Sequence, residues 1–157
     1  MQRPWNVINT PIYSLATERH GVVNMNICTY VSAVSMKPKR YMVALHQQSQ
    51  TFENLQTSHR AVLQLLSVAH LPYVKMLGKK SGKTHDKKRY LEKHAMLQTW
   101  QGHTVLKDAA AYLQMKRLWD KVAGDHVMYL FEVEKFQSAN GSVLMLDDLR
   151  KHKIISI

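Results

Sequence analysis

Nine histidines, one cysteine and a run of hydroxylated residues are the side chains with chemistry to offer in this 157-residue sequence. The histidines stand at 20, 46, 59, 70, 85, 94, 103, 126 and 152, with no H-x-H, H-x-x-x-H or Cys–His pair among them. A metal centre needs convergent ligands, commonly supplied by such short spacings, so catalytic zinc is not expected. Cys28 lies between Ile27 and Thr29 with no cation beside it, and a thiol so placed stays protonated and packs. Neither G-x-S-x-G nor G-x-G-x-x-G occurs, which removes a serine-hydrolase elbow and a Rossmann dinucleotide turn. Gly78-Lys79-Lys80-Ser81-Gly82-Lys83-Thr84 approaches the phosphate-binding P-loop, but three residues separate its glycines where the loop needs four. Leu71-Pro72-Tyr73 before it offers no strand, so nucleotide hydrolysis is not expected.

The stretch Asn24 to Lys39, NMNICTYVSAVSMKPK, is the most informative. It sets Thr29, Ser32 and Ser35 into an otherwise apolar strand and ends in Ser-Met-Lys-Pro. Such hydroxyls face water on an edge strand, or the strand lies flat against a planar ligand whose polar rim they satisfy.

The elements that must position these residues read mainly as strands. Val7 to Ala16 and Val22 to Val34 flank the polar connection Thr17-Glu18-Arg19-His20-Gly21, which predicts strand–turn–strand. Pro38 breaks the chain, and Tyr41-Met42-Val43-Ala44-Leu45 reads as a buried strand. Ser49 and Thr51 are good cap residues, Phe52 and Leu55 lie three apart and Glu53 falls in a first turn, which predicts a short helix over Ser49 to Thr57. Ala61 to Leu66 returns to strand. Ala109 to Trp119 is ambiguous, since three alanines favour helix while Tyr112 to Arg117 alternate. Val127 to Phe136 is a clearer strand that puts Val127, Tyr129, Phe131 and Val133 on one face, and Asn140-Gly141 predicts a hairpin turn into Ser142 to Leu146. With no repeat and no low-complexity linker, the expectation is a single domain over 1–157, built as a closed or nearly closed antiparallel barrel.

Composition narrows the classes. Apolar residues make up 45%, too many for a disordered chain. A lone thiol cannot make an intrachain disulfide, so a reducing, cytoplasmic compartment is expected. No stretch reaches the roughly 18 apolar residues of a membrane helix, and Met1 to Asn9 holds no apolar signal core. The net charge is +11, and Lys79 to His94 (KKSGKTHDKKRYLEKH) supplies seven Lys/Arg against two Asp/Glu. That segment reads as an exposed basic loop or partly helical insertion. The charge favours an anionic partner, whether nucleic acid, anionic lipid or a phosphorylated small molecule.

A resemblance favours the last of these. The order Asn24-Met25-Asn26, Val34-Ser35-Met36-Lys37-Pro38, Val43-Ala44-Leu45, Ser49-Gln50-Thr51 and Ser58 resembles the flavin reductase-like, FMN-binding split-barrel family. Leu77-Gly78, Ser81-Gly82, Asp86-Lys87 and Gly124-Asp125-His126 follow in the family's order. The resemblance covers residues 5 to 136, and the run Leu146 to Ile157 adds nothing to it.

The resemblance implies a mainly β fold with short helices, a split β-barrel working as a homodimer, with FMN (FAD in some members) at the interface. Asn26, Ile27, Cys28 and Thr29 would line the ring and ribityl chain, with help from Ser32. Ser49 and Thr51 would meet the phosphate, Lys83 or Lys87 would add charge, and His126 would stand near the nicotinamide or flavin as the catalytic candidate. The implied reaction is hydride transfer from NAD(P)H to the flavin, with electrons passed on to a partner oxygenase or other acceptor. Two other readings remain: an FMN-binding electron-transfer flavoprotein without NAD(P)H activity, and a basic nucleic-acid-binding barrel in which Lys79 to Lys93 with Tyr90 tracks phosphates.

Overall fold

Alternation along the β-rich segments builds one seven-stranded antiparallel sheet, seen here in a computed structural model that describes residues 3–155. Its strands are β1 (Tyr13–Arg19), β2 (Val22–Met25), β3 (Val31–Ser35), β4 (Arg40–His46), β5 (Arg60–Leu65), β8 (Ala111–Ala123) and β9 (His126–Ser138), in the order β2-β1-β5-β8-β9-β4-β3. A separate hairpin pairs β6 (Leu97–Trp100) with β7 (His103–Leu106). Among the described residues there are also four short α-helices, α1 (Gln50–Leu55), α2 (Val74–Lys79), α3 (Lys87–Lys93) and α4 (Leu146–Lys151), and a 3-10 helix over Val68–Tyr73 that leads into α2.

Period-two alternation lets β1 and β5 bury both faces. Leu15, Ala61 and Leu63 join Val43, Leu45, Met115, Val127, Tyr129 and Phe131 in one apolar cluster. The residues between them, Ala16 and Val62, face a second cluster with Leu77, Leu91, Val105, Leu106, Leu149 and Ile154. The second cluster is therefore roofed by α2, α3, the β6–β7 hairpin and the C-terminal helix.

Several expectations change in three dimensions. The first strand starts at Tyr13 rather than Val7, because Pro4–Asn6 form a 3-10 turn and Pro11 makes only an isolated bridge to Met145. Its turn shrinks to His20 and Gly21, both at positive φ (49° and 76°), the geometry that a two-residue hairpin needs. The ambiguous Ala109–Trp119 is strand, since pairing with β5 and β9 outweighs the alanines' helical preference. Asn140-Gly141 does not return the chain along β9; Val143 and Met145 bridge to Ser67 and Pro11 instead, and α4 follows.

The segment expected to run unbroken from Val22 to Val34 is the most consequential departure. Met25 stands opposite Ala16 and Cys28 opposite Tyr13, so the register is kept, yet the chain leaves the ladder between them. Asn26 fills the gap with its side chain, whose Oδ1 accepts from Leu15 N at 2.8 Å, so the deserted amide keeps a partner. Cys28 then exchanges two backbone bonds with Tyr13, and Tyr30 O accepts from Ala44 N on β4. The chain thus changes partner at Thr29, and one continuous segment joins the two edges of the sheet.

Candidate functional site

A cavity of about 520 Å3 opens where that segment changes partner. Residues 24 and 26–30 form one wall, the end of β4 and the start of α1 a second, and Leu77–Gly82 a third, with Lys87 and His126 completing the lining.

Buried amides and hydroxyls seat α1 against the first wall. Asn24 Nδ2 donates to Thr51 Oγ1 (2.9 Å), while Asn54 Nδ2 donates to Thr17 Oγ1 (3.1 Å) and to Val22 O (3.2 Å). All four side chains are buried, so each bond replaces water that could not follow. Ser49 caps the helix as expected: its Oγ accepts from Phe52 N at 3.1 Å and donates to His46 O at 2.8 Å. That hydroxyl is therefore committed, and the donors α1 can still offer the cavity are the backbone amides of Gln50 and Thr51, which precede the first internal bond of a helix.

Lys87 holds the third wall. It was expected on an exposed loop, but Asp86 caps α3, Leu91 packs into the roofed cluster, and the lysine is drawn inside at 5% exposure. Its Nζ donates to Met25 O at 3.0 Å and Leu77 O at 2.7 Å, tying β2 to α2. Burial without a carboxylate partner pushes its pKa down to about 8. With Lys79 and Lys80, three lysines line the cavity, and among the described residues no aspartate or glutamate does.

At the mouth, His126 Nδ1 donates to Asp125 Oδ1 at 2.7 Å, which holds the Asp125 carboxyl below its usual range. Across the β4–β9 pair, His46 stands opposite His126, their rings edge to face at 5.4 Å, and Tyr30 lies 5.2 Å from His126 on another side.

Eight of the ten expected residues meet here: Asn26, Ile27, Cys28, Thr29, Ser49, Thr51, Lys87 and His126. Two do not. Ser32 is exposed on β3, beside a shallower depression of about 450 Å3 that it shares with Tyr30, Met42 and His126. Lys83 turns away to an ion pair with Glu53 (2.7 Å), which also removes that carboxylate from the cavity. Asn24, Tyr30, His46, Lys79 and Lys80 escaped sequence reasoning. For Asn24 the adjacent polar strand was the signal, whereas nothing local marks His46 among nine scattered histidines.

Cys28 borders the cavity but burial pushes its thiol up to about 12. A thiol reagent at pH 8 is therefore expected to leave native protein unlabelled for hours and to label one site per chain promptly in denaturant; fast native labelling would contradict the packing role.

The arrangement suits a ligand with a flat polar body and an anionic tail. Among the described residues no group of three or more metal-ligating side chains converges, and no helix is long and apolar enough to cross a membrane. The family model described as flavin reductase like domain matches residues 5–154. The chain belongs to the flavin reductase-like family. The match extends past the 136 expected from motifs and takes in α4 and the residues after it, from which Leu149 and Ile154 enter the roofed cluster.

Solved structures with the same fold include an FMN-binding protein from Thermus thermophilus with bound p-hydroxybenzaldehyde (18% identity, TM-score 0.79, 90% of this chain and 78% of that one). The flavin reductase PheA2 in its native state is 21% identical with a TM-score of 0.75, over 92% of this chain and 93% of that one. The Streptomyces globisporus C-1027 NADH:FAD oxidoreductase SgcE6 is 12% identical with a TM-score of 0.77, over 88% and 81%. No curated protein matches the chain. For a flavin reductase-like chain the cavity is at once the place to test for flavin.

Proposed function

We propose that the chain is a single flavin-binding domain, a split barrel that binds FMN in this cavity and uses it as an NAD(P)H-dependent oxidoreductase. The observation that carries the reading is the donor set: a bowed strand of amides and hydroxyls faces three lysines with no carboxylate among them. Asn26, Ile27, Cys28 and Thr29 would lie along the ring and ribityl chain. Gln50 and Thr51 amides with Lys87 would take the phosphate, with Lys79 and Lys80 nearby. Bound there, FMN would supply two-electron redox chemistry between a nicotinamide nucleotide and an electron acceptor. Asp125 holds the Nδ1 proton of His126, leaving Nε2 as the nitrogen free to meet a ligand at the mouth. A structure of this fold named as an NADH:FAD oxidoreductase supports the nicotinamide half of the proposal.

Homodimerisation belongs to the same reading. Tyr30 (59% exposed) lines the mouth, Val34 and Met36 follow at the far end of β3, and Trp119 and Val122 lie on the stretch of β8 past its pairing with β5. Exposed apolar side chains of this size mark an interaction surface, and a second copy would cover them beside the cavity.

The purified protein is expected to quench FMN fluorescence on titration, to unfold several degrees higher with FMN, and to oxidise NADH or NADPH when FMN is added. Absence of both quenching and thermal shift sinks the flavin reading. Binding without nicotinamide oxidation leaves an electron-transfer flavoprotein.

A further inference from the structure

Between Val74 and Lys93 the chain carries eight Lys/Arg against two Asp/Glu, more charge than one ligand phosphate needs. Two helices gather most of it on one surface. Tyr73, the cap of α2, packs on Tyr90 (6.4 Å) and on His94 (5.6 Å) at the end of α3, while Lys87 at the start of α3 bonds Leu77 O in α2. The helices therefore lie side by side and antiparallel. Val74 and Leu77 of α2 and Lys87 and Leu91 of α3 are buried. That leaves Lys75 and Lys79 exposed one turn apart on the first helix, and Arg89 and Lys93 one turn apart on the second.

Like charges one turn apart destabilise a helix. The carboxylates on this side do not relieve them: Asp86 accepts from Arg89 N at 2.9 Å, Glu92 lies 3.7 Å from Lys88, and Glu53 pairs with Lys83 at 2.7 Å. Among the described residues Lys75, Lys79, Lys80, Arg89 and Lys93 have no carboxylate within ion-pair distance. The surface runs into the site, because Lys79 and Lys80 also line the cavity. Lys75 and Lys93 do not line it, so they act on a ligand only through their field. A nucleic-acid strand is a poorer fit, since Tyr73 and Tyr90 are half-buried against the roofed cluster and neither is an open platform for a base.

We propose that the outer surface of α2 and α3 is an electrostatic capture surface for the flavin nucleotide, drawing in the FMN phosphate and passing it by way of Lys79 and Lys80 to the cavity. This rests on the flavin reading of the cavity and gives a kinetic role to residues outside it. A phosphate monoester carries about −1.5 to −2 charge at pH 7, whereas riboflavin has no phosphate to be drawn. Such a field raises the association rate and leaves dissociation to the contacts inside. The Debye length is about 30 Å at 0.01 M ionic strength and about 3 Å at 1 M, so the effect belongs to low salt.

Stopped-flow fluorescence quenching of FMN and of riboflavin tests it on wild type, Lys75→Glu/Lys93→Glu and Lys135→Glu/Lys151→Glu. The last makes the same change of charge at exposed positions on β9 and α4. At low salt Lys75→Glu/Lys93→Glu is expected to bind FMN about tenfold more slowly, with dissociation within about twofold of wild type, and Lys135→Glu/Lys151→Glu to stay within about threefold in both. Riboflavin rates should agree among the three proteins, and the FMN rates should converge at high salt. The Tm of Lys75→Glu/Lys93→Glu is expected within about 2 °C of wild type, because an acid gained at the start of α2 offsets a base lost from the end of α3. Equal FMN association rates in wild type and Lys75→Glu/Lys93→Glu overturn the proposal and leave the flavin reading standing. So does equal slowing by both variants, which would make net charge the cause. A loss shared by riboflavin, or carried by faster dissociation, overturns it as well, because Lys75 and Lys93 would then be shaping the site itself. Oligothymidylate held by wild type and released by Lys75→Glu/Lys93→Glu, with FMN rates unchanged, gives the surface to a nucleic-acid backbone instead. A chain that quenches neither FMN nor riboflavin removes the flavin reading, and the proposal with it.

Discussion

Lys87→Met is expected to lower FMN affinity about a hundredfold and leave riboflavin affinity within a few-fold, as read by fluorescence quenching. A charge-assisted bond to phosphate contributes about 1.5–3 kcal/mol, and burial at 5% exposure places this lysine at the upper end. Lys79 and Lys80 line the same cavity but are exposed, so each is expected to cost much less. Riboflavin lacks the phosphate and serves as the internal control. Equal loss of both ligands would mean that the wall itself had moved, because methionine leaves Met25 O and Leu77 O without their donor.

The same substitution carries a pH signature. The folded chain holds Lys87 at a pKa of about 8, whereas in the unfolded chain it titrates near 10.4. Between those values the unfolded state binds more protons, so this group's contribution to stability rises with pH from about 8 to about 10. Below pH 8 the fold bears the whole desolvation cost, about 3 kcal/mol. Two groups act in the opposite direction, because the folded chain keeps a proton the unfolded chain has lost: Cys28, pushed up to about 12 by burial, from about pH 8.5 upward, and Tyr129, pushed up to about 12, above pH 10. Both proteins carry these losses, so urea unfolding at pH 7.5 and 9.5 should show wild type gaining about 2 kcal/mol relative to Lys87→Met. Parallel curves for the two proteins would show that the buried ammonium is not titrating there.

Gly82→Ala is the second large effect expected: about 2 kcal/mol of lost stability, a fall in Tm of about 5 °C, and at least tenfold weaker FMN binding. The added methyl would lie 2.1 Å from Asn24 Oδ1, and Asn24 is buried and bonded to Thr51, so it has no free rotamer to retreat into. Either the loop lifts off the strand or the Asn24–Thr51 bond breaks and α1 shifts. Differential scanning calorimetry and FMN titration measure both arms. Gly21→Ala is the contrast: space around it is open, and its cost comes only from a positive φ of 76°. An unchanged FMN affinity in Gly82→Ala would show that the loop has slack.

Much of the sheet was legible because β4, β5 and β9 carry uninterrupted apolar patterns with punctuated ends. The α1 cap was legible for the same reason, since Ser49 acts on an amide three residues away. What escaped depends on distance. The stretch Val22 to Val34 is rich in strand-forming residues throughout, and its break goes with one long-range bond, Leu15 N to Asn26 Oδ1. Lys87 sits in a charge run that reads as solvated, and its burial is set by Leu91 and the roofed cluster rather than by its neighbours. The candidate site divides likewise. Asn26 to Thr29 were marked by amide and hydroxyl types in an apolar strand, whereas Lys79, Lys80 and His46 converge only after α2 and β4 are placed. The hairpin of β6 and β7 had a local signal, Gln101-Gly102 at φ of 50° and 78°, which passed unread.

The change of partner at Thr29 bears on which insertions and deletions this chain can absorb. Cys28 is in register with β1 and Tyr30 with β4, so a single residue spans two ladders. Adding or removing one residue there would invert the facing of every side chain on β3 or tear Cys28 from Tyr13. The stretch 83–86 sits between Gly82, which packs on Asn24, and α3, and owes no register to any strand, so length variation among descendants of this gene should collect there and be absent from 26–31 and from the packed wall at 80–82.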